Sequence, residues 1–591
     1  MNAHLRNPCL VFDFIDSPND PHSHSLVFSN PVQVIVANSL DEVVPALNDI
    51  QRAVETGLYA AGFISYEAAP AFDSAFEVSP RHTRPLLWFG LFHEPTIGIE
   101  DSDTKGDTSF SEWRPSITRS NYEKNVHQVR EAIARGETYQ VNYTFRLQSQ
   151  FSGDEFAFYQ SCRSTQQQPY SAYLNLGQFQ ILSFSPELFF RVSGRRIMTS
   201  PMKGTVKRGR WFEEDEANAL WLSTSEKNKA ENVMIVDLLR NDLGRIAEVG
   251  SIEVPHLFDI ERYPTVFQMT STVEATLRPE VTLADIFNSL FPCGSITGAP
   301  KIRTMHLISQ LEDSPREVYC GTIGYVKPGG DALFNVAIRT MVVDSETGMA
   351  TYGTGGGITW DSAADIEYAE AESKAALLTH DNPPFELLET INWDRNRFIL
   401  LDRHLQRLVR SAKYFNIPLN LEDIKTALEK HSQSYPDEAR RVRLLVSQES
   451  RVYIESSALM AHSQESMAIT IANSPISADY LFLFHKTTHR LVYQAHHNQQ
   501  SDIFDTLLWN EQGFITEFTN GNVVLEIDGQ KLTPALECGL LPGTLRAQLL
   551  EDGEIQESFL SLSDLHRANN LWFINSVRGW VPVHVVRPTD G

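Results

Sequence analysis

Lys203 stands in Pro201-Met202-Lys203-Gly204-Thr205, where the glycine predicts a tight turn that can hold the ammonium away from water. Desolvation disfavours the charged form, so a lysine in such a place can serve as a nucleophile or a base. A solvated loop lysine is the commoner fate of one such residue. Ser185-Pro186-Glu187 interrupts the strand-like run Ile181 to Val192, which continues through Gly194 towards Lys203, so a hairpin would present Glu187 and Lys203 from neighbouring segments. Glu231, Met234, Ile235 and Leu238 share one face of a helix predicted over 225–244, which puts Glu231 on an apolar stripe. A carboxylate there is at a helix start, paired with a base, or on a metal. Glu367, Glu370 and Lys374 lie on one face of a helix from about Ser362, either as an exposed salt-bridged face or as carboxylates that meet Glu231 across a hard divalent ion such as Mg2+.

The elements around these residues follow from periodicity. Strands are predicted over 32–37 and 86–92, a helix over 40–55, and a loop over 101–111. The helical spacing of Val126, Val129 and Ile133 stops at Gly136 and passes into the strand 138–144, with Gln140 and Asn142 on one face that points either to solvent, the commoner case, or to a ligand. Gly294 to Lys301 introduces a helix 300–311 with Pro300 in its first turn, a place where amides can cradle a carboxylate. The glycines 353, 355, 356 and 357 form neither a P-loop nor a complete GxGxxG pattern, so no nucleotide site is read there. A short linker, 379–384, separates a first domain, 1–378, from a second, 385–591, which opens with a strand 387–393 and a helix from Asp402 with Leu405, Leu408, Ala412 and Phe415 as its core.

A length of 591 residues exceeds one core, and 42% hydrophobic with 21% charged residues is ordinary for a folded soluble chain. The net charge of −25 argues against nucleic acid and anionic membranes as partners, while local basic residues can still hold a small anion. No apolar run is long enough to span a bilayer and the start does not read as a signal peptide, so the expected compartment is the cytoplasm. The five cysteines are scattered, without CxxC spacing and without a Gly-x-Cys-x-Gly elbow.

Between Gly136 and Lys374 the blocks Gly136 to Gln140, Ser185 to Glu187, Pro201 to Thr205, Glu231 to Arg245, Gly298 to Lys301, Ile338 to Thr340, and Glu367 with Glu370 occur in an order that resembles the chorismate-utilising enzymes, the group of the anthranilate, aminodeoxychorismate, isochorismate and salicylate synthases. The resemblance implies a large β-sandwich with flanking helices (α/β, or α+β). It implies a Mg2+ held by Glu231, Glu367 and Glu370, and chorismate bound by Thr205, Gly298, Ala299, Pro300, Lys301, Arg339 and Gly356. Catalytic roles would fall to Lys203, Glu187, Glu231 and Gln140. Isochorismate and salicylate synthases carry lysine where Gln140 stands, so ammonia is implied as the nucleophile. Anthranilate synthases typically carry alanine where Lys203 stands, so the resemblance runs to the aminodeoxychorismate branch: lysine attack at C2, loss of the 4-hydroxyl, ammonia at C4. Many relatives have histidine near Gln268, which leaves an acid or base role for that position in doubt. Without a nucleophile elbow here, ammonia is expected from a separate glutamine amidotransferase subunit.

In the second domain His404 to Leu408, Lys486, Glu517 with Asn522, and Gly539 to Arg546 resemble 4-amino-4-deoxychorismate lyase and related fold-type IV pyridoxal-phosphate enzymes. Lys486 would carry the cofactor and the catalytic proton, Glu517 would face the pyridine nitrogen, Asn522 would lie beside it, and Arg407, Gly543 and Thr544 would seat the phosphate. Taken singly, Lys486 reads as a solvated strand lysine, Arg407 as part of a basic helix face with Arg403 and Arg410, and Glu517 as a turn acid. Stand-alone relatives carry a further stretch of strands and loop before the segment like Phe385 to Thr390. Here the domain is compact, or chain from the first domain covers the gap, or cofactor binding is impaired. The combined expectation is a bifunctional enzyme of 4-aminobenzoate formation. The alternatives are an anthranilate synthase component I-like enzyme, and a synthase whose second half is a non-catalytic assembly module.

Overall fold

The computed structural model describes residues 8–15, 25–98, 108–166, 168–375, 385–459, 465–497, 500 and 502–586. The expected linker 379–384 and most of the expected 101–111 loop lie outside them; Ser109–Phe110 is a short strand paired with Gln140–Ser152. The chain divides into two compact units, one of residues 1–207 and 219–381, the other of 208–218 and 382–591. This differs from an expected break at a single linker: an eleven-residue segment, Arg208–Asn218, belongs to the second unit.

The first unit holds an eleven-stranded and a ten-stranded sheet. Successive side chains of a strand point to opposite faces. In Cys9–Phe14, accordingly, Leu10 and Phe12 join a cluster with Phe63, Trp88 and Tyr325 of the other sheet, while Cys9 and Val11 join one with the helices Arg119–Ala134 and Glu155–Gln166. Both faces are covered, which is why such strands read as continuous apolar runs. The outer face of the ten-stranded sheet packs on Leu40–Glu55 and Leu283–Leu290. The expected sandwich with flanking helices is present.

In the second unit Leu387–Trp393, Arg440–Val446 and Val452–Ala458 form an antiparallel sheet under the helices Leu401–Tyr414 and Leu421–Gln433. Leu405, Leu408 and Ala412 are buried there as their spacing predicts, with Phe415 partly buried against them. An eight-stranded mixed sheet follows, in which Met467–Ile471 pairs in parallel with Asp505–Trp509 and Gly579–Val585.

Candidate functional site

Lys203 does not sit in a turn. It lies in the strand Met202–Lys207, where the register against Val266–Thr276 shifts between Met202 and Thr205 and Gly204 takes a φ of 95°. A bulge re-aims a side chain without ending the strand. Asn232 clamps it from the helix Glu226–Gly244: its Nδ2 donates to the carbonyls of Lys203 (3.5 Å) and Met269 (3.4 Å), and its Oδ1 accepts from the Ser271 hydroxyl at 2.6 Å. Burial lowers the Lys203 pKa, against the opposing charges of Glu187, Glu231 and Glu370. Thr205 is exposed beyond the bulge, in register with the half-buried Gln268.

Glu187, between the strands Phe179–Ser185 and Leu188–Ser193, is buried, and burial raises its carboxyl to about 7 in spite of bonds from Ser295 and the Met202 amide and the charge of Lys203. One of its oxygens, Oε1, is buried without a hydrogen-bond partner, and so is Gln140 Oε1. Buried polar atoms are rarely left so, and those in a site mark where a ligand belongs. Gln140 and Asn142 are buried, so this face of Gln140–Ser152 does not point to solvent. A Cβ at Gly357 would run into Gln140 Nε2 and lie 3.2 Å from Lys203 Nζ, and one at Gly356 would lie 3.5 Å from Glu367 Oε2 and 3.6 Å from Lys374 Nζ. The two glycines therefore form a floor between Gln140 and Lys203 on one side and Glu367 and Lys374 on the other. Gly357 had no signal beyond its place in the glycine run, and Lys374 looked like a helix-face cation.

Gly298 (φ 140°) and Ala299 pair with Val141 and Gln140, and a Cβ at Gly298 would collide with the Gln140 carbonyl. Pro300 caps the helix Lys301–Leu311 and is not in its first turn. Lys301, expected at a substrate carboxylate, instead donates to Asp242 Oδ2 at 3.0 Å and the Leu290 carbonyl at 3.4 Å, tying its own helix to two others. Arg339 has a φ of 51° and a buried Nη1 without a partner; burial lowers its pKa, with Tyr352 and Tyr263 as the opposing neighbours. A buried guanidinium with an unused donor is a seat for an anion.

The expected metal carboxylates are not assembled. Among the described residues no three His, Cys, Asp or Glu side chains are placed to hold a metal ion. Glu231 is half-buried beside the buried face of the helix, which runs through Asn232, Ile235, Val236 and Leu239. Glu370, 45% exposed, pairs with Lys374 Nζ at 2.8 Å, and that ammonium lowers its pKa. Burial, then the charge of Glu370, raises the Glu367 pKa. An ion shared by the three would have to displace Lys374, so the residues as they stand do not fit it.

In the second unit Lys486 is half-buried, and burial, then Arg407 and Arg490, lowers its pKa to about 7. Glu517 lies in the strand Ile515–Phe518, not in a turn; its Oε1 accepts from the Tyr493 hydroxyl (2.8 Å) and the Leu541 amide (3.0 Å), and its Oε2 from Asn522 Nδ2 (3.3 Å). Burial raises its carboxyl to about 7. Asn522 also donates to the Leu541 carbonyl at 2.9 Å, and a Cβ at Gly543 would strike Asn522 Oδ1. Thr544, first residue of the helix Thr544–Glu551, is buried with its hydroxyl 3.3 Å from His404 Nε2. Arg407 belongs to no solvated basic face. It grips both oxygens of the buried Glu389 at 2.9 and 2.7 Å and donates to the Pro542 carbonyl at 3.1 Å. Against burial, Arg407 and His404 hold Glu389 down at about 2. Glu389 had no role assigned in the sequence and His404 entered only as the first residue of the block around Arg407, because nothing local says that a strand acid meets a helix arginine. Of the five N–H groups of a guanidinium, three are used. Two remain; Arg407 and Thr544 line one cleft, and with a desolvated amine and a rigidly held carboxylate they fit a phosphorylated pyridine cofactor.

A family described as chorismate binding enzyme matches residues 14–380, and one described as amino-transferase class IV matches 386–586. Aminodeoxychorismate synthase component 1 of Escherichia coli is 39% identical over 297 residues, 50% of this chain and 65% of that protein. Anthranilate synthase component 1 of Methanothermobacter marburgensis is 37% identical over 340 residues, 54% of this chain and 73% of that protein. The chain thus spans less than two thirds of the first relative's length. A crystal structure of anthranilate synthase component I from Streptococcus pneumoniae superposes with a TM-score of 0.54 and 28% identity, covering 60% of this chain and 92% of that one.

Proposed function

Because the chain belongs to the chorismate binding enzyme family and carries a class IV aminotransferase domain behind it, we propose a bifunctional enzyme that makes 4-amino-4-deoxychorismate from chorismate and ammonia and then removes pyruvate to leave 4-aminobenzoate. One observation carries the reading: Glu187 and Gln140 each keep a buried oxygen without a partner, and the Lys203 amine, its pKa lowered by burial, comes within 3.2 Å of where a Cβ on Gly357 would stand. A lysine at Gln140 would generate hydroxide; an amide cannot, which leaves ammonia as the second nucleophile. Ammonia would come from a separate amidotransferase subunit.

Lys203, as the neutral amine, attacks C2 of chorismate, and the ring double bonds shift towards C4. The C4–O bond breaks, and Glu187, protonated near neutrality, gives its proton to the leaving oxygen, which departs as water. The carboxylate takes the surplus proton from the new C2 ammonium. Ammonia then bonds to C4, the double bonds shift back, the C2–N bond breaks and Glu187 returns the proton to the departing Lys203 amine. Arg339 holds a substrate carboxylate with its unpaired Nη1. A Mg2+ enters this reading only if it takes Glu370 from Lys374, which dependence of turnover on added Mg2+ would show.

In the second unit pyridoxal phosphate, when bound, would supply the electron sink for elimination. Glu517 would hold a proton on the ring nitrogen, Arg407 and Thr544 would seat the phosphate, and the Lys486 amine, near 7, would carry the proton at the substrate's C4.

The purified chain incubated with chorismate, Mg2+, ammonium and pyridoxal phosphate tests both halves, with products identified by mass and absorbance. 4-Aminobenzoate is expected. Aminodeoxychorismate alone would leave the second unit without its reaction, and anthranilate would overturn the role of Lys203.

A further inference from the structure

The eleven residues Arg208–Asn218 are folded into the second unit, although more than 160 positions separate them in sequence from its remainder, which resumes at Asn382. The segment is built to hold one shape. Arg208 grips Asp215 through Nε (2.6 Å) and Nη2 (2.8 Å), both side chains are buried, and the Gly209 amide donates to the same carboxylate at 2.9 Å. A Cβ at Gly209 would collide with the Asp215 backbone, so the loop closes only on glycine. It is also fastened to its surroundings. Arg208 Nη2 donates to the Tyr414 carbonyl at 2.8 Å with its guanidinium 4.3 Å over the Tyr414 ring, and the Tyr414 hydroxyl donates to the Gly209 carbonyl at 2.7 Å. Trp211 packs on Phe484 with ring centroids 5.3 Å apart, and Glu213 pairs with Arg410 at 3.0 Å.

Two contacts take this segment to the expected cofactor residues. His485, adjacent to Lys486, is buried against the Tyr414 ring at 4.4 Å, and the Arg210 guanidinium lies 5.5 Å over the ring of Phe484, the residue before it. Trp211, Phe212 and Glu213 also line a cleft of about 330 Å³ whose other walls include Arg407, Thr544 and His485. Arg407 and Thr544 are the residues assigned above to the phosphate.

We propose that Arg208–Asn218 is a working part of the second unit, a strap that packs on Tyr414 and Phe484 beside His485 and Lys486 and walls the cleft at Arg407 and Thr544. The inference rests on the cofactor reading of the second unit. It makes Trp211 and Phe484 positioning residues, acting on cofactor affinity through the chain around Lys486 and Arg407.

The test uses the full chain, stripped of cofactor and titrated with pyridoxal phosphate by visible absorbance, with ammonia-dependent chorismate consumption measured alongside. Trp211→Ala is expected to weaken cofactor binding about tenfold, which corresponds to about 1.4 kcal/mol, while chorismate consumption stays within about twofold. Trp211→Phe, which keeps a ring on Phe484, should restore most of the affinity. Phe484→Ala should match the loss, and the double variant should be no weaker than about twofold beyond either single one, since both remove one contact. Cofactor affinity unchanged in Trp211→Ala, or a parallel loss of chorismate consumption, overturns the strap. A parent chain that binds no pyridoxal phosphate fails at the earlier step and overturns the cofactor reading with it.

Discussion

At Lys203 and Glu187 the chemistry rests on two groups moved off their ordinary charge states by the same cause, loss of water. Lys203→Ala should lower chorismate consumption by at least about a hundredfold, since it removes the nucleophile and not only a charge, while thermal unfolding stays near that of the parent; unchanged turnover would remove the lysine from the mechanism. Glu187 makes a prediction about pH. Its folded pKa, about 7, lies above the ordinary 4.5, so between those values the folded state binds more protons than the unfolded one and stability falls as pH rises. That contribution is fully present below about pH 4.5 and lost through pH 7. Glu187→Gln, which cannot ionise, should therefore gain stability relative to the parent as pH is raised from 5 to 8, by up to about 3 kcal/mol, while losing turnover. A stability difference that does not change with pH in chemical denaturation would show that Glu187 is not desolvated as described.

The elements matter because each presents its residue through a departure from regularity. The bulge at Met202–Thr205 aims Lys203, and the strand Met349–Ile358 offers backbone without side chains at Gly356 and Gly357. The two glycines should respond differently to alanine. At Gly357 the methyl meets Gln140 Nε2 and crowds Lys203, so Gly357→Ala should cost about 1–3 kcal/mol of stability and most of the first activity. At Gly356 the methyl finds ordinary contacts of 3.5 and 3.6 Å; Gly356→Ala should fold as the parent does and show its effect in KM for chorismate. Equal behaviour of the two variants in melting and kinetics would contradict the floor drawn here.

For the whole molecule the question is whether two chemistries run in one chain. Lys486→Ala should abolish the shifted absorbance band that pyridoxal phosphate gains on linkage to the protein and change the end product from 4-aminobenzoate to 4-amino-4-deoxychorismate, with chorismate consumption kept. Tethering the two units raises the local concentration of the intermediate. If Lys486→Ala still forms 4-aminobenzoate at the parent's rate, the second unit is not the lyase. The strap adds that the halves are not divided at one point in the chain, so a boundary drawn at 385 would leave the second unit without Trp211 and the Arg208–Asp215 pair.

Much of this was legible before any coordinates. The resemblance carried by the ordered motifs implied the sandwich with flanking helices, periodicity set the helix that carries Glu231 over 225–244, where Ser225 caps it, and the spacing of Leu405, Leu408 and Ala412 gave the core face of theirs, because period is a local property. The ordered motifs also placed Lys203, Glu187 and Gln140 together as candidates. Tertiary structure decided what each polar group meets. It gave Lys301 to Asp242, Glu370 to Lys374 and Arg407 to Glu389, brought Gly357 under Gln140, and carried Arg208–Asn218 into the second unit. A partner far along the chain leaves no local trace, since the pairing is chosen by burial and by the need to satisfy charge once water is gone.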